Sequence, residues 1–144
     1  MKTVREAPAR KEILARMARL EPGTKPKWGK MTAAQMVGHV ARPMSGAMGE
    51  LHVAAKPGPL RNRIIRYLVI YVLPWPRGAP TLPEYIDAGD GDFARNVKAL
   101  GALLERFAAA QTLLPHPAFG ALSPKDWGRL TYRHLDHHLK QFGL

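Results

Sequence analysis

Hydrophobic residues recur at three- and four-residue steps over most of the 144-residue chain, and this period predicts α-helices. Four long segments carry the pattern: residues 4–20, 32–55, 91–113 and 123–142. Each has an apolar stripe on one side and polar or charged residues on the other, as is typical of helices that share a core. We therefore expect an all-α protein in which four helices form an antiparallel bundle.

Local signals mark where these helices begin and end. Thr32-Ala33-Ala34-Gln35 is a capping box, and Ser123-Pro124-Lys125-Asp126 places a serine at the cap, a proline at the first helical position and an acid three residues after the cap. Asp90 is the expected cap of the third long helix. Pro43 is expected to kink the second helix or end its first half, with a continuation over residues 45–55.

The stretch 60–73 is apolar over most of its circumference, which predicts a further helix, although Ile64, Val69 and Ile70 would also suit a strand. The prolines of residues 74–80 end it. The residues that follow, up to 90, are expected to form an extended acidic loop. The prediction is thus one domain, residues 1–144, with a short helix or irregular excursion between the second and third long helices.

Cysteine is absent, which excludes disulfides, thiolate zinc sites and cysteine nucleophiles. Any metal site must therefore use imidazole, carboxylate and water ligands. The formal net charge is +11, but the basic residues are scattered and aromatic residues are not interleaved with them. We expect a solvated basic surface, attractive to small anions, and no specific nucleic-acid binding.

The N-terminal residues carry charges throughout and lack the apolar run of a secretory signal. The most apolar stretch, 64–73, contains Arg66 and is too short to cross a bilayer. We therefore expect a cytoplasmic protein without a membrane segment.

A pair of histidines gives the strongest chemical signal. His134 and His138 stand four residues apart in the last predicted helix, so both lie on one face, about 6 Å from each other, and can reach one metal ion. They share a stripe with Trp127, Leu130 and Gln141. The alternative is that both imidazoles are satisfied by ordinary hydrogen bonds on a half-buried surface.

Other residues could complete a site around this pair. His39 lies on the apolar side of the second helix, seven residues past the predicted cap, and a third imidazole would leave coordination positions open for water or substrate. Glu50, eleven residues further on, could return to the same face as a ligand or general base. Tyr132 and Arg133 flank the first histidine of the pair and could bind an anionic substrate, with solvent exposure as the alternative.

The remaining histidines and two tryptophans have other expected roles. His137 could face the edge of the site, but a surface or partner-contacting position is favoured. His116, held between two prolines, is expected to fix its loop, and His52 is expected at the surface. Trp28 and Trp127 are expected to anchor the core rather than to contact a substrate.

The order of these residues resembles the DinB superfamily of metal-binding four-helix bundles: one histidine on the second helix, His-x-x-x-His on the last, then Gln141. The blocks WGKMTAAQM at 28–36, HPAFG at 116–120 and the stretch 127–143 resemble a branch catalogued as a domain of unknown function. The resemblance spans nearly the whole chain, and it implies a DinB-like four-helix bundle.

The resemblance also implies a site. His39, His134 and His138 match the ligand positions, and Gln141 matches a polar position that follows the histidines in relatives. One divalent ion is expected, zinc or nickel, because both suit imidazole ligands. Superfamily members include thiol-dependent transferases and isomerases, and homodimers are expected.

Two classes of function follow as hypotheses. The first is a metal-dependent enzyme, a hydrolase or a thiol S-transferase, that activates water or a thiol and takes a small anionic or thiol substrate, with Glu50 and Gln141 as catalytic candidates. The second is a non-catalytic dimeric module that binds a metal or ligand, with the apolar segment 60–75 as its partner surface.

Overall fold

The computed structural model describes residues 1–144, and all of its regular structure is helical, which confirms the all-α prediction. The chain forms five α-helices and no β-strand: α1 (Ala7–Met17), α2 (Ala33–Ala47), α3 (Arg63–Tyr67), α4 (Phe93–Ala109) and α5 (Pro124–Gln141). Short 3-10 turns cover Pro59–Arg61 and Pro83–Tyr85, and a π-helical segment covers Leu68–Val72. No helix combines the length and apolar character needed to cross a bilayer.

Both predicted capping motifs are confirmed. The Thr32 hydroxyl accepts the Gln35 backbone N–H at 3.1 Å, and the Gln35 side chain accepts the Thr32 N–H at 3.0 Å. At the start of α5, Ser123 and Asp126 exchange the equivalent pair of bonds. These reciprocal bonds satisfy backbone donors that a helix N-terminus would otherwise leave unpaired, so they fix where α2 and α5 begin.

Three predicted boundaries of α2 and α4 are wrong. The cap of α4 is Asp92 rather than Asp90, because Gly91 adopts a φ of +88° and turns the chain before the helix starts. The helix also ends at Ala109, short of residue 113. The continuation over 45–55 does not form, because α2 runs past Pro43 only to Ala47 and the chain reverses at Gly49, where φ is +79°.

The segment 60–73 is helical as predicted, and the strand alternative is wrong. Asn62 starts α3 by accepting the backbone N–H groups of Ile64 and Ile65, and the π-helical turn then continues to Val72. Of this segment only Ile70 is buried in the core. The first helix is shorter than its predicted range of 4–20, since regular structure covers only Ala7–Met17.

One core of buried apolar side chains joins the four longer helices. The helix α2 packs against α4 and α5, and α1 packs against the same two. Two shorter elements close over this arrangement: the π-helical segment lies against α5, and the turn Pro83–Tyr85 lies against α2. These last two contacts matter for the site, because they bring loop residues to the histidine-bearing faces of α2 and α5.

Candidate metal centre

Three histidines from two helices meet at one place. His39 is in the middle of α2 and only 5% exposed, while His134 and His138 lie one turn apart on α5 and are half-buried. The ring centroids are 4.8 Å apart for His39 and His134, 4.7 Å for His39 and His138, and 4.9 Å for His134 and His138. One nitrogen from each ring lies within 4.8 Å of the others. The three nitrogens are therefore close enough to share one ion.

Hydrogen bonds on the far side of two rings fix which nitrogen carries the proton. His39 Nδ1 lies 2.9 Å from the Tyr85 carbonyl oxygen, which can only accept, so Nδ1 donates. His138 Nδ1 lies 2.8 Å from Gln141 Oε1, and the orientation of that amide is set because its Nε2 donates to the Trp28 carbonyl at 2.8 Å. In the neutral rings Nε2 of both histidines is therefore unprotonated and carries a lone pair.

The third ring faces these lone pairs. His134 Nε2 lies 2.9 Å from His39 Nε2, so without an ion His134 donates to His39 across the site. Three imidazoles around a tetrahedral ion with bonds of 2.0–2.1 Å would hold their nitrogens about 3.3 Å apart. Conversion of this hydrogen-bonded pair into two metal ligands would need a separation larger by a few tenths of an ångström. It would also need the His134 ring to carry its proton on Nδ1 instead of Nε2.

Burial favours the neutral form of all three rings. It lowers the pKa of His39, and it lowers that of His134 well below the ordinary value, with the neighbouring imidazoles adding repulsion. Burial and the nearby His39 lower the pKa of His138 to about 4. Neutral imidazole is the form that binds a metal ion. No carboxylate belongs to the group, so a bound dication would keep its full charge.

A comparison with known families covers this whole arrangement. The family model described as "Protein of unknown function (DUF1569)" matches residues 6–143. The chain belongs to the DUF1569 family. No curated protein and no solved structure matches it. The match includes both histidine-bearing helices, so the three-histidine group lies inside the DUF1569 domain.

Aromatic residues border the histidines of this DUF1569 chain. Trp28 and Trp75 both lie near His137, with ring centroids 5.7 Å and 6.1 Å from it, and Trp75 also lies 6.0 Å from His134. His137 is half-buried and 5.2 Å from His138, so it lies at the edge of the site and not at the favoured surface position. Trp28 is likewise a site-edge residue, and its predicted core role is wrong.

Glu50 lies away from the histidine group. It follows the end of α2 and forms an ion pair with Arg106 of α4, and the Arg106 hydrogen bond lowers the pKa of this carboxyl. Because the continuation of α2 beyond Ala47 does not form, the helical register that would have returned Glu50 to the His39 face is lost. The structure does not bring Glu50 to the site, whereas it places Gln141 directly against His138.

Tyr132 and Arg133 are engaged in structural contacts rather than exposed to solvent. Tyr132 is 6% exposed and its hydroxyl contacts Glu12. Arg133 donates to the carbonyl oxygens of Val69, at 2.7 Å, and Leu73, which fastens the π-helical segment to α5. Both side chains therefore already make contacts that hold structural elements together.

The other predictions for single residues are confirmed. His116 fixes its loop, since its Nδ1 accepts the backbone N–H groups of Ala118 and Phe119. Trp127 is 1% exposed in the core, and His52 is exposed.

Three residues at the site were not predicted from the sequence: Tyr85, Trp75 and Arg77. Tyr85 acts through a main-chain oxygen, for which a sequence carries no signal. Trp75 lies between two prolines, a context that indicates only a break in the helix. Arg77 stacks on Trp28, and its relation to the site depends on how two loops meet.

Proposed function

We propose that this chain is a DinB-like metalloprotein in which His39, His134 and His138 hold one divalent ion, and that it acts as a hydrolase or a thiol S-transferase. One observation carries the proposal: three imidazole rings from two helices lie with centroids 4.7–4.9 Å apart, and hydrogen bonds leave Nε2 of two of them unprotonated. The DinB-like bundle would be formed by α1, α2, α4 and α5, whose side chains share one core.

The donor set suits an open metal site. Structural zinc sites are closed by four protein ligands, whereas three protein ligands leave at least one position for water or substrate. The group holds three histidines and no fourth carboxylate or imidazole. Zinc and nickel both suit this all-nitrogen set. An ion there supplies Lewis acidity and lowers the pKa of coordinated water or thiol towards neutrality.

The chain's own residues have defined parts in this proposal. The Tyr85 carbonyl and Gln141 Oε1 orient His39 and His138 so that both present Nε2. Trp28 and Trp75 exclude water from one side of the histidines and supply apolar surface to a substrate.

Metal analysis of protein purified without an affinity tag tests the proposal. Wild type should carry about one ion per chain, a His134→Ala, His138→Ala double variant should carry almost none, and His52→Ala should match wild type because its imidazole is exposed and outside the group. Equal metal content in the double variant and wild type would overturn the proposed site.

The second candidate is a non-catalytic dimeric module, and an exposed apolar surface favours it. Ile64 is 70% exposed, Tyr67 56% and Val72 55%, all on or beside α3. Two measurements distinguish the candidates. Azide should change the visible spectrum of the cobalt(II)-loaded protein if a coordination position is open, and should leave it unchanged if the site is closed. Sedimentation of wild type and Ile64→Lys then shows whether this surface joins two chains.

A further inference from the structure

Arg77 is a cation without a charged or hydrogen-bonding partner beside the histidine group. Its guanidinium carbon lies 4.4 Å from the centroid of the Trp28 ring, and the structure gives it no ion pair and no hydrogen bond. The nearby Arg133 also lies over a tryptophan ring, that of Trp75, but it donates N–H groups to the carbonyl oxygens of Val69 and Leu73. A guanidinium that lies on an aromatic face keeps the N–H groups at its edges available. Arg77 is therefore free to bind an anion.

The platform under Arg77 is fixed to the same helix as two of the histidines. Gln141 Nε2 donates to the Trp28 carbonyl at 2.8 Å, and the Lys27 N–H donates to the Gln141 carbonyl at 2.6 Å. Gly29 permits this contact, because its φ is +77° and a Cβ there would lie 2.9 Å from Gln141 Nε2. Gln141 thus holds both His138 and the loop that carries Trp28.

Arg77 also lies within electrostatic reach of the histidine row. The Trp28 ring touches His137, which is the neighbour of His138 on α5. The guanidinium of Arg77 therefore brings a positive charge to the side of the site that Trp28 borders, which favours an anionic ligand.

We propose that Arg77, held on Trp28, selects a small-molecule substrate that carries a carboxylate, which it binds while another group of the same molecule reaches the three-histidine centre. The guanidinium fork matches the two oxygens of a carboxylate, and an aromatic platform keeps the fork in place. This inference rests on the proposed metal site. In it Arg77 is a specificity residue, whereas Arg133 is structural.

Two hydroxamates that differ in one charge test the proposal on cobalt(II)-loaded protein. Acetohydroxamate and the monohydroxamate of succinic acid bind a metal through the same group, but only the second carries a carboxylate. Titrations followed by visible absorption should show that wild type binds the succinic derivative about tenfold more tightly, the preference expected of one solvent-accessible charged hydrogen-bonded pair. In Arg77→Gln the preference should fall to about one, and Arg77→Lys should retain part of it.

Matched variants and a second anion sharpen the result. Arg95→Gln removes the same charge from an exposed position in the first turn of α4 and should keep the wild-type preference. Trp28→Leu should lower the preference as Arg77→Gln does, because it removes the platform. A derivative with a phosphonate in place of the carboxylate should bind less tightly than the succinic one, and tighter binding would overturn the carboxylate assignment.

The experiment distinguishes failure of the proposed metal site from failure of the proposed role of Arg77. If cobalt does not bind, the proposed function falls and this inference falls with it. If cobalt binds, both hydroxamates bind, and wild type and Arg77→Gln show the same preference, the metal site stands and the role of Arg77 is overturned.

Discussion

Replacing Gln141 with leucine should weaken metal binding without touching a ligand. Gln141 is 5% exposed, and its Oε1 is the acceptor for His138 Nδ1–H at 2.8 Å. In Gln141→Leu that donor loses its partner in a nearly buried position. The ring is then free to rotate, and to carry its proton on Nε2, the atom that must be unprotonated to bind an ion.

The expected loss of metal affinity follows from the role of the hydrogen bond between His138 and Gln141, which orients a metal-ligating ring. Residues that orient a ligating imidazole typically contribute tenfold to a hundredfold in metal affinity, which is about 1.4–2.8 kcal/mol. The same substitution leaves the His138 N–H and the Trp28 carbonyl without partners, so the free energy of unfolding should also fall, by about 1–3 kcal/mol.

Competition with a chromophoric chelator for zinc measures the affinity, and urea unfolding measures the stability. Gln141→Glu is the matched control, since its carboxylate still accepts from His138 but cannot donate to the Trp28 carbonyl. It should lose stability, yet keep its metal affinity within about threefold of wild type. The reasoning is refuted if Gln141→Leu binds zinc as tightly as wild type, or if both variants lose affinity equally.

Two further predictions concern stability. Lowering the pH from 7.5 to 5.5 should destabilise wild type by about 1.3 kcal/mol more than His116→Asn. Burial lowers the pKa of His116 from 6.5 to about 4. The unfolded chain therefore takes up the proton first, and the free energy of unfolding decreases as the pH falls below 6.5. Asparagine keeps an acceptor for the loop but does not titrate, and parallel pH profiles in urea unfolding would contradict the prediction. Gly38→Ala should cost about 1–3 kcal/mol in the same assay, because its Cβ would lie 2.1 Å from the Asp87 side chain, which pairs with Arg42. Gly101→Ala, whose nearest neighbour is 3.4 Å away, is the control, and equal losses in both variants would refute the steric argument.

Features that depend on near neighbours in the chain could be predicted. The caps at Thr32 and Ser123 involve residues three positions apart, so their spacing alone places the helix starts. The shared face of His134 and His138 is likewise a matter of helical period. That His39 meets His134 and His138 could be predicted only with the help of the family resemblance. Periodicity indicates which face of each helix is buried, but it does not indicate which two faces pack together.

Features that depend on how loops close could not be predicted. Asp90 and Asp92 are equally good caps by composition, and the φ of Gly91 selects the second. Trp28 belongs to the site edge only because Gln141 holds its carbonyl, a contact between residues far apart in sequence. The bulky, apolar character of its side chain favours a core position, and nothing local indicates otherwise.

The two oriented histidines differ in how their orientation can be lost during sequence divergence. The oxygen that holds His39 is a backbone atom of residue 85, and every amino acid supplies one, so mutation of that codon alone leaves the acceptor in place. The oxygen that holds His138 belongs to a side chain, and most substitutions at position 141 delete it. A point mutation at position 141 can therefore remove the acceptor that orients His138, whereas the acceptor that orients His39 is lost only when its loop moves.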